Sequence, residues 1–277
     1  MINFFPILLL FSTVFLPSPP DSTITLTPFG TGLDGATSIS IIPTGDIYIT
    51  ERNRHRFLVL NYAGIRVDSV GSQGSGDYRF DGPVSINATN GLKIYVADQN
   101  NNRVQMFDRR HQYLTSVTSE KLGRQNRFRP ASLTVSPSNE LFVYDPESFL
   151  IHKFDSNGNH QAELNLRQYR VRNLSHIKMA GQILLLFDDR NGVLHRFQTD
   201  GGYINFIAGF DNAKAIFGTA NHIWALFEDS LEKFSHRGAS LAVYPFGEPL
   251  QDITDLSVTD NRLYVLTSHQ LFTAIIE

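Results

Sequence analysis

The chain has 277 residues, 42% of them apolar and 18% charged, with a net charge of −3 and no cysteine. This composition supplies a core and excludes general disorder, while the slightly acidic balance excludes a protein dominated by contacts to nucleic-acid phosphates. Without thiols there are no disulfides, thiolate metal sites, cysteine nucleophiles or lipid-modified cysteines, so packing and strand pairing alone must hold the fold.

The first segment, MINFFPILLLFSTVFLPSPPDS, carries an apolar run from Phe4 to Leu16 followed by Pro17, Pro19 and Pro20. A membrane-spanning helix needs about 20 apolar residues, so the run suits the apolar region of a secretory signal over residues 1–22. No Lys or Arg precedes it and no A-x-A-like site follows it, and an uncleaved interfacial anchor is the alternative. A signal here implies a secreted or periplasmic protein, with residues 23–277 as the mature domain and no transmembrane span within it.

From there the chain repeats itself. "GDIYIT" at Tyr48, "GLKIYVAD" at Tyr95, "NELFVYD" at Phe142, "GQILLLFD" at Leu185, "NHIWALF" at Trp224 and "NRLYVLT" at Tyr264 are spaced by 47, 47, 43, 39 and 40 residues. Intervals of about 40 to 50 mark four-stranded propeller blades. In each copy a strand with small or polar residues comes first, as in "PVSINA", "PASLTV" and "ITDLSV". The apolar strand follows, then a polar turn and a third strand such as "RVQMFD", "LIHKFD", "VLHRFQ" or "SLEKFS", and finally a fourth such as "RVDSVG" or "YINFIAG".

Four strands per repeat with almost no helical periodicity predict an all-β fold, a six-bladed β-propeller of four-stranded antiparallel blades. The last repeat ends after its third strand, and "STITLTPFG" near the beginning reads as a fourth. Residues 23–29 are therefore expected to complete the last blade and close the ring.

The stretch Gly71 to Asp108 resembles an NHL repeat. It has a glycine-rich lead-in, a Phe-x-x-Pro entry, a Gly-x-x-x-Tyr-Val-x-Asp strand and an Arg-Val-Gln exit. The first repeat puts Glu51 where Asp98 stands, the third and fourth keep Asp145 and Asp188 but have Leu150 and Val193 in place of Arg103, and the fifth and sixth keep only the strand pattern. The resemblance implies a six-bladed propeller that presents a platform for binding partners. Related propellers include lactonase-type hydrolases and the lyase that processes amidated peptides. These need carboxylates, amides or histidines converging on a metal in the central channel.

Residue by residue, the bland readings dominate. Asp98 with Arg103, and Glu51 with Arg56, read as pairs that pin the turn after the second strand. The nine histidines show no H-x-x-x-H or H-E-x-x-H spacing. His152 and His195 take equivalent third-strand positions on a blade surface, while His55, His111, His160 and His236 sit in or beside turns and read as exposed. His176 enters the inner strand of repeat four and His222 lies in the turn before Trp224, which makes these two slightly more interesting. Inner strands offer Ser38, Ser85, Ser132, Ser175, Thr219 and Ser257, with Lys178, Lys214 and Asp255 as scattered charges. "GSQGSG" at Gly71 precedes a strand and cradles no phosphate.

Charge placement is more informative. "EKLGRQNRFRP" brings Lys121, Arg124, Arg127 and Arg129 into repeat three, and "RQYRVRN" brings Arg167, Arg170 and Arg172 into repeat four. Repeats five and six carry Glu228, Asp229, Glu248 and Asp252 on the corresponding face, which is expected to be polarised. Phe128 and Tyr169 lie within the basic segments, but the export signal argues against RNA. The sequons at Asn87 and Asn173 carry little weight.

The sequence thus predicts an exported, non-enzymatic interaction module that contacts a protein or an acidic glycan or other anion through those seven basic residues. It calls for no catalytic residue, metal or cofactor, and nucleic acid is not the expected partner. The alternative is a propeller hydrolase or lyase, lactonase-like or peptide-amidating-lyase-like, working in the central channel.

Overall fold

A computed structural model of the chain describes residues 23–30, 32–123, 128–171 and 173–276. The apolar N-terminal segment, Arg124, Arg127 and Arg172 lie outside them. Among the described residues, twenty-four strands form six four-stranded antiparallel sheets in a ring, the predicted β-propeller. No helix among these residues is long and apolar enough to cross a membrane.

Numbered along the chain, blade one comprises β2 (Ala36–Ile41), β3 (Ile47–Glu51), β4 (Arg56–Leu60) and β5 (Arg66–Val70). Blade two comprises β6 (Pro83–Asn87), β7 (Lys93–Asp98), β8 (Arg103–Asp108) and β9 (Tyr113–Val117). Blade three comprises β10 (Ser132–Val135), β11 (Leu141–Asp145), β12 (Leu150–Phe154) and β13 (His160–Asn165). Blade four comprises β14 (Leu174–Ala180), β15 (Ile183–Asp188), β16 (Val193–Gln198) and β17 (Tyr203–Ala208). Blade five comprises β18 (Ala215–Gly218), β19 (His222–Leu226), β20 (Ser230–Ser235) and β21 (Ser240–Pro245). Blade six comprises β22 (Ile253–Thr259), β23 (Arg262–Thr267), β24 (Leu271–Ile275) and the early strand β1 (Thr27–Gly30).

The second strand of each blade is apolar almost throughout because both of its faces are covered. Alternate side chains of a strand point to opposite faces, so Ile94 and Val96 pack toward blade one while Tyr95 and Ala97 pack toward blade three. The repeated residues Tyr48, Tyr95, Phe142, Leu185, Trp224 and Tyr264 each enter the core shared with the following blade, the last facing blade one. Six blades thus share six inter-blade cores. The outer strands tell the opposite story, and β17 is exposed along most of its length.

Ring closure follows the expected route with a shifted boundary. β1 pairs antiparallel with β24 through Thr27 to Thr273, Pro28 to Phe272 and Gly30 to Leu271. Ahead of it, the Ile24 N–H donates to the Pro245 carbonyl at 2.8 Å, and Ile24 and Leu26 pack into the core between blades five and six. The predicted strand over 23–29 is therefore two pieces, one tied to blade five and one completing blade six. Pro28, without an N–H, is tolerated because the strand is an edge.

Removing residues 23–30 exposes the β24 edge and uncovers part of two cores. The melting midpoint is expected to fall by roughly 5–10 °C, read by calorimetry against the full chain; an unchanged midpoint would show that the strand does not hold the ring.

Candidate functional site

The registers of the six blades define two layers of equivalent positions along the axis. Opposite the repeated residues of the second strands stand Ser40, Asn87, Thr134, Lys178, Phe217 and Ser257. All six line an axial cavity of about 520 Å³ whose rim includes Thr89, Asn90, Pro137, Asn139 and Gly181 from the turns between first and second strands. Two residues earlier the equivalent positions are Ser38, Ser85, Ser132, His176, Ala215 and Asp255.

In the first three blades this deeper layer is structural. The Ser38 hydroxyl accepts the Ile86 N–H at 3.4 Å, Ser85 accepts Leu133 N–H at 3.2 Å, and Ser132 accepts Ile177 N–H at 3.1 Å. Each serine hands a backbone donor of the next blade a buried acceptor, which such a donor requires. Asp255 does the same for blade one, accepting the Ile39 N–H at 3.1 Å.

Asp255 also does more. It is 1% exposed, and its carboxylate accepts the Ser38 hydroxyl at 3.1 Å and both contacts of the Lys178 ammonium, at 2.7 and 2.9 Å. Blades four and six are not neighbours, so this ion pair spans the channel past blade five. His176 lies beside it, with Nε2 4.0 Å from the Asp255 carboxylate and 3.1 Å from the Thr254 carbonyl. A carbonyl only accepts, so Nε2 carries the proton, and Nδ1 accepts the Ser175 hydroxyl at 3.0 Å. Desolvation holds the His176 pKa below its ordinary 6.5, outweighing the opposing pull of Asp255. The imidazole is therefore neutral at pH 7 and its lone pair is on Nδ1. Ser175 is the extra residue of a β-bulge between Leu174 and His176, the kind of irregularity that re-aims a side chain next to a site.

Sequence reading placed Lys178 and Asp255 on inner strands as scattered charges; the fold joins them. Ser175, Thr219 and Ser257, grouped by sequence with the serines of blades one to three, do not share their register, and the ring position is held by His176, Ala215 and Asp255. The bulges in β14 and β22 and the shorter late repeats hide that register. Comparing the residues facing Leu185, Trp224 and Tyr264 across a hairpin would have revealed it.

The turn-pinning pairs behave as expected. Arg103 donates Nε to Asp98 at 2.9 Å while Asp98 also accepts the Asp81 N–H at 2.7 Å and the Asn101 amide at 2.8 Å. Arg56 pairs with Glu51 in the same way, and Glu51 accepts the Asp34 N–H at 2.9 Å. None of the four turn histidines is exposed: His55, His111, His160 and His236 are all partly buried, the first three beside carboxylates and His236 on the Ala220 carbonyl. His152 is 1% exposed, on a face between blades rather than on the surface.

Of the seven basic candidates, four are described. Lys121 donates to the Thr115 hydroxyl at 3.3 Å, and Arg129 lies 3.8 Å from Glu147 with both side chains about 40% exposed. Arg167 sits over the Phe149 ring at 5.7 Å and, with Arg170, Phe149 and Val171, lines a second cavity of about 270 Å³. The two aromatics within the basic segments are used internally, since Phe128 is fully buried and Tyr169 stacks on Tyr203 at 4.7 Å.

No protein-family model and no curated protein sequence matches this chain. Solved structures do share its architecture. They include selenomethionine-substituted virginiamycin B lyase from Staphylococcus aureus, with TM-score 0.65 and 10% identity over 92% of this chain and 99% of that one. A catalytically inactive histidine-to-alanine variant of that organism's virginiamycin B lyase, with quinupristin, has TM-score 0.62 and 12% identity over 91% and 88%. Hydrazine synthase of Kuenenia stuttgartiensis has TM-score 0.62 and 14% identity over 86% and 75%. At these identities the likeness is one of fold.

Asp255→Ala strands a half-buried ammonium and the buried Ile39 N–H. Denaturant unfolding is expected to show a loss of about 3–5 kcal/mol, whereas replacing the pair together, as Lys178→Met with Asp255→Leu, should cost less, since the Ile39 N–H still loses its acceptor but no ammonium is left unpaired. Equal losses in the two variants would mean that the pair does not act as a unit.

Proposed function

We propose that this protein is a propeller enzyme of the lyase or hydrolase type, acting on a small polar substrate in the central channel with His176 as the base. One observation carries the reading. Where blades one to three keep hydroxyl and amide side chains in both axial layers, blades four and six place an ammonium 2.7 Å and a neutral imidazole 4.0 Å from one buried carboxylate. A histidine held below its ordinary pKa, next to an ion pair that reaches a cavity wall, is a signature of chemistry. Fold neighbours named as lyases, one of them inactive without a histidine, are in keeping with it. The Phe-x-x-Pro entry and Tyr-Val-x-Asp strand of blade two support reading the repeats as NHL-like.

The chemistry follows from the proton positions. His176 Nδ1 takes a proton, either from a carbon next to a substrate carbonyl, which sets up elimination, or from the Ser175 hydroxyl, which makes that oxygen a nucleophile. Thr254 and Asp255 hold the ring and offset the charge it gains. The Lys178 ammonium, at the cavity wall, faces negative charge that develops on the substrate oxygen.

Assays with small lactones, esters and β-substituted carbonyl compounds should reveal turnover that falls about 100-fold or more in His176→Ala. Only the neutral imidazole accepts a proton, and its pKa lies below 6.5. Activity should therefore be level from neutral pH upward and decline only as the pH falls through the lowered pKa, below the ordinary histidine range. Turnover that is absent, or equal in His176→Ala, would refute the channel site.

A second reading rests on the 270 Å³ cavity lined by Arg167, Arg170 and Phe149, where two guanidinium groups beside an aromatic ring suit an acidic ligand. Binding to a sulfated glycan is expected to weaken about 10-fold in Arg167→Ala with Arg170→Ala and to weaken with added salt; binding indifferent to both changes would remove this reading.

A further inference from the structure

The outer half of blade three gathers two histidines and a glutamate far from the channel. His152 and Glu163 are directly opposed across β12 and β13, and His160 pairs with Phe154. In a regular strand, residues three apart face opposite sides. The β-bulge opposite Lys153 and Phe154 reverses the parity and turns His160 to the same side as Glu163. Phe128 and Phe154 wall the group, with ring centroids 5.6 and 6.3 Å from that of His152.

The distances are those of a coordination shell. His152 Nδ1 lies 3.3 Å from Glu163 Oε1 and His160 Nε2 lies 3.6 Å from the same oxygen, and one donor atom from each residue lies within 4.8 Å of the others. A tetrahedral ion with bonds of about 2.0–2.1 Å separates its ligands by about 3.4 Å. His152 is 1% exposed, yet neither of its ring nitrogens has a hydrogen-bond partner among the described residues. A buried imidazole ordinarily finds one. Its far nitrogen, Nε2, is directed at the buried Asp145 carboxylate, 3.8 Å away, the outer partner that metal-bound histidines commonly use.

We propose that His152 Nδ1, His160 Nε2 and Glu163 Oε1 form a binding site for a zinc-like divalent transition metal. Two imidazoles and one carboxylate favour zinc over calcium or magnesium, which take oxygen ligands. The side chains of His160 and Glu163 are 24% and 20% exposed, so the site reaches the surface of the blade. Bound metal ties β13 to β12 and makes blade three's outer edge more resistant to opening. The sequence conceals the site because its spacing, H-x7-H-x2-E, fits no linear motif and depends on the bulge.

The test is titration of the full chain with Zn²⁺, followed by calorimetry, together with cobalt absorption spectroscopy. About one equivalent of zinc is expected to bind, raising the melting midpoint by roughly 5 °C at 100-fold excess over its Kd. Cobalt should give the visible bands of a four-coordinate site. His160→Ala and Glu163→Gln, at partly exposed positions, should keep the metal-free midpoint but weaken zinc binding about 100-fold and abolish the cobalt bands. His236→Ala and His176→Ala should bind as the unaltered chain does. Zinc that fails to bind stoichiometrically, or binds equally well in His160→Ala and Glu163→Gln, would overturn the proposal.

Discussion

The structure depends on the burial of both faces of each second strand. A single blade of this protein has an apolar face on either side and cannot fold alone; it needs a neighbour to the left and another to the right. Satisfying that demand for every blade at once requires a closed ring, which is why Tyr264 of the last blade packs into the core of the first. The ring has one weak point, where the chain's two ends meet. There β1 supplies the edge strand that β24 lacks, while Ile24 and Leu26 tie the joint to blade five as well.

Inside that ring the inner strands present backbone donors to one another, and a serine in each of the first three blades satisfies the next blade. The same position in blades four and six carries His176 and Asp255. Asp255 keeps the structural task through Ile39 and adds a charge, which Lys178 neutralises. Function on a propeller can arise in this way. A repeated structural position is released from its task in some blades, and the chemistry that replaces it is held by neighbours that still perform it. The rigid inter-blade cores fix the geometry, so the proton positions of His176 follow from its two partners.

Blade three departs from the repeat in a different way. Leu150 stands where blades one and two have the arginine that pairs with the strand-end acid, and Asp145 accepts the Ser148 hydroxyl and the Glu147 N–H, with His152 3.8 Å away. Two residues along the same strand, the His152 imidazole sits in the space between blades, flanked by Phe128 and Phe154. The basic segments entering blades three and four are less uniform than their composition suggests, because Arg129 is matched by Glu147 and Tyr169 is engaged by its own blade.

The sequence by itself determined the six blades, their strand order, the closing role of the first strand and the turn-pinning acid–arginine pairs. All of these follow from a period of two within strands and of about forty-five along the chain, and both periods are written in local residue order. Only the tertiary structure decided that Lys178 meets Asp255, that His176 rather than Ser175 fills the ring position, and that His152, His160 and Glu163 converge. Each of those depends on a β-bulge that reverses side-chain parity or on a contact between strands tens of residues apart. Neither leaves a mark in the linear pattern, because a single inserted residue changes which way a strand faces without changing what it is made of.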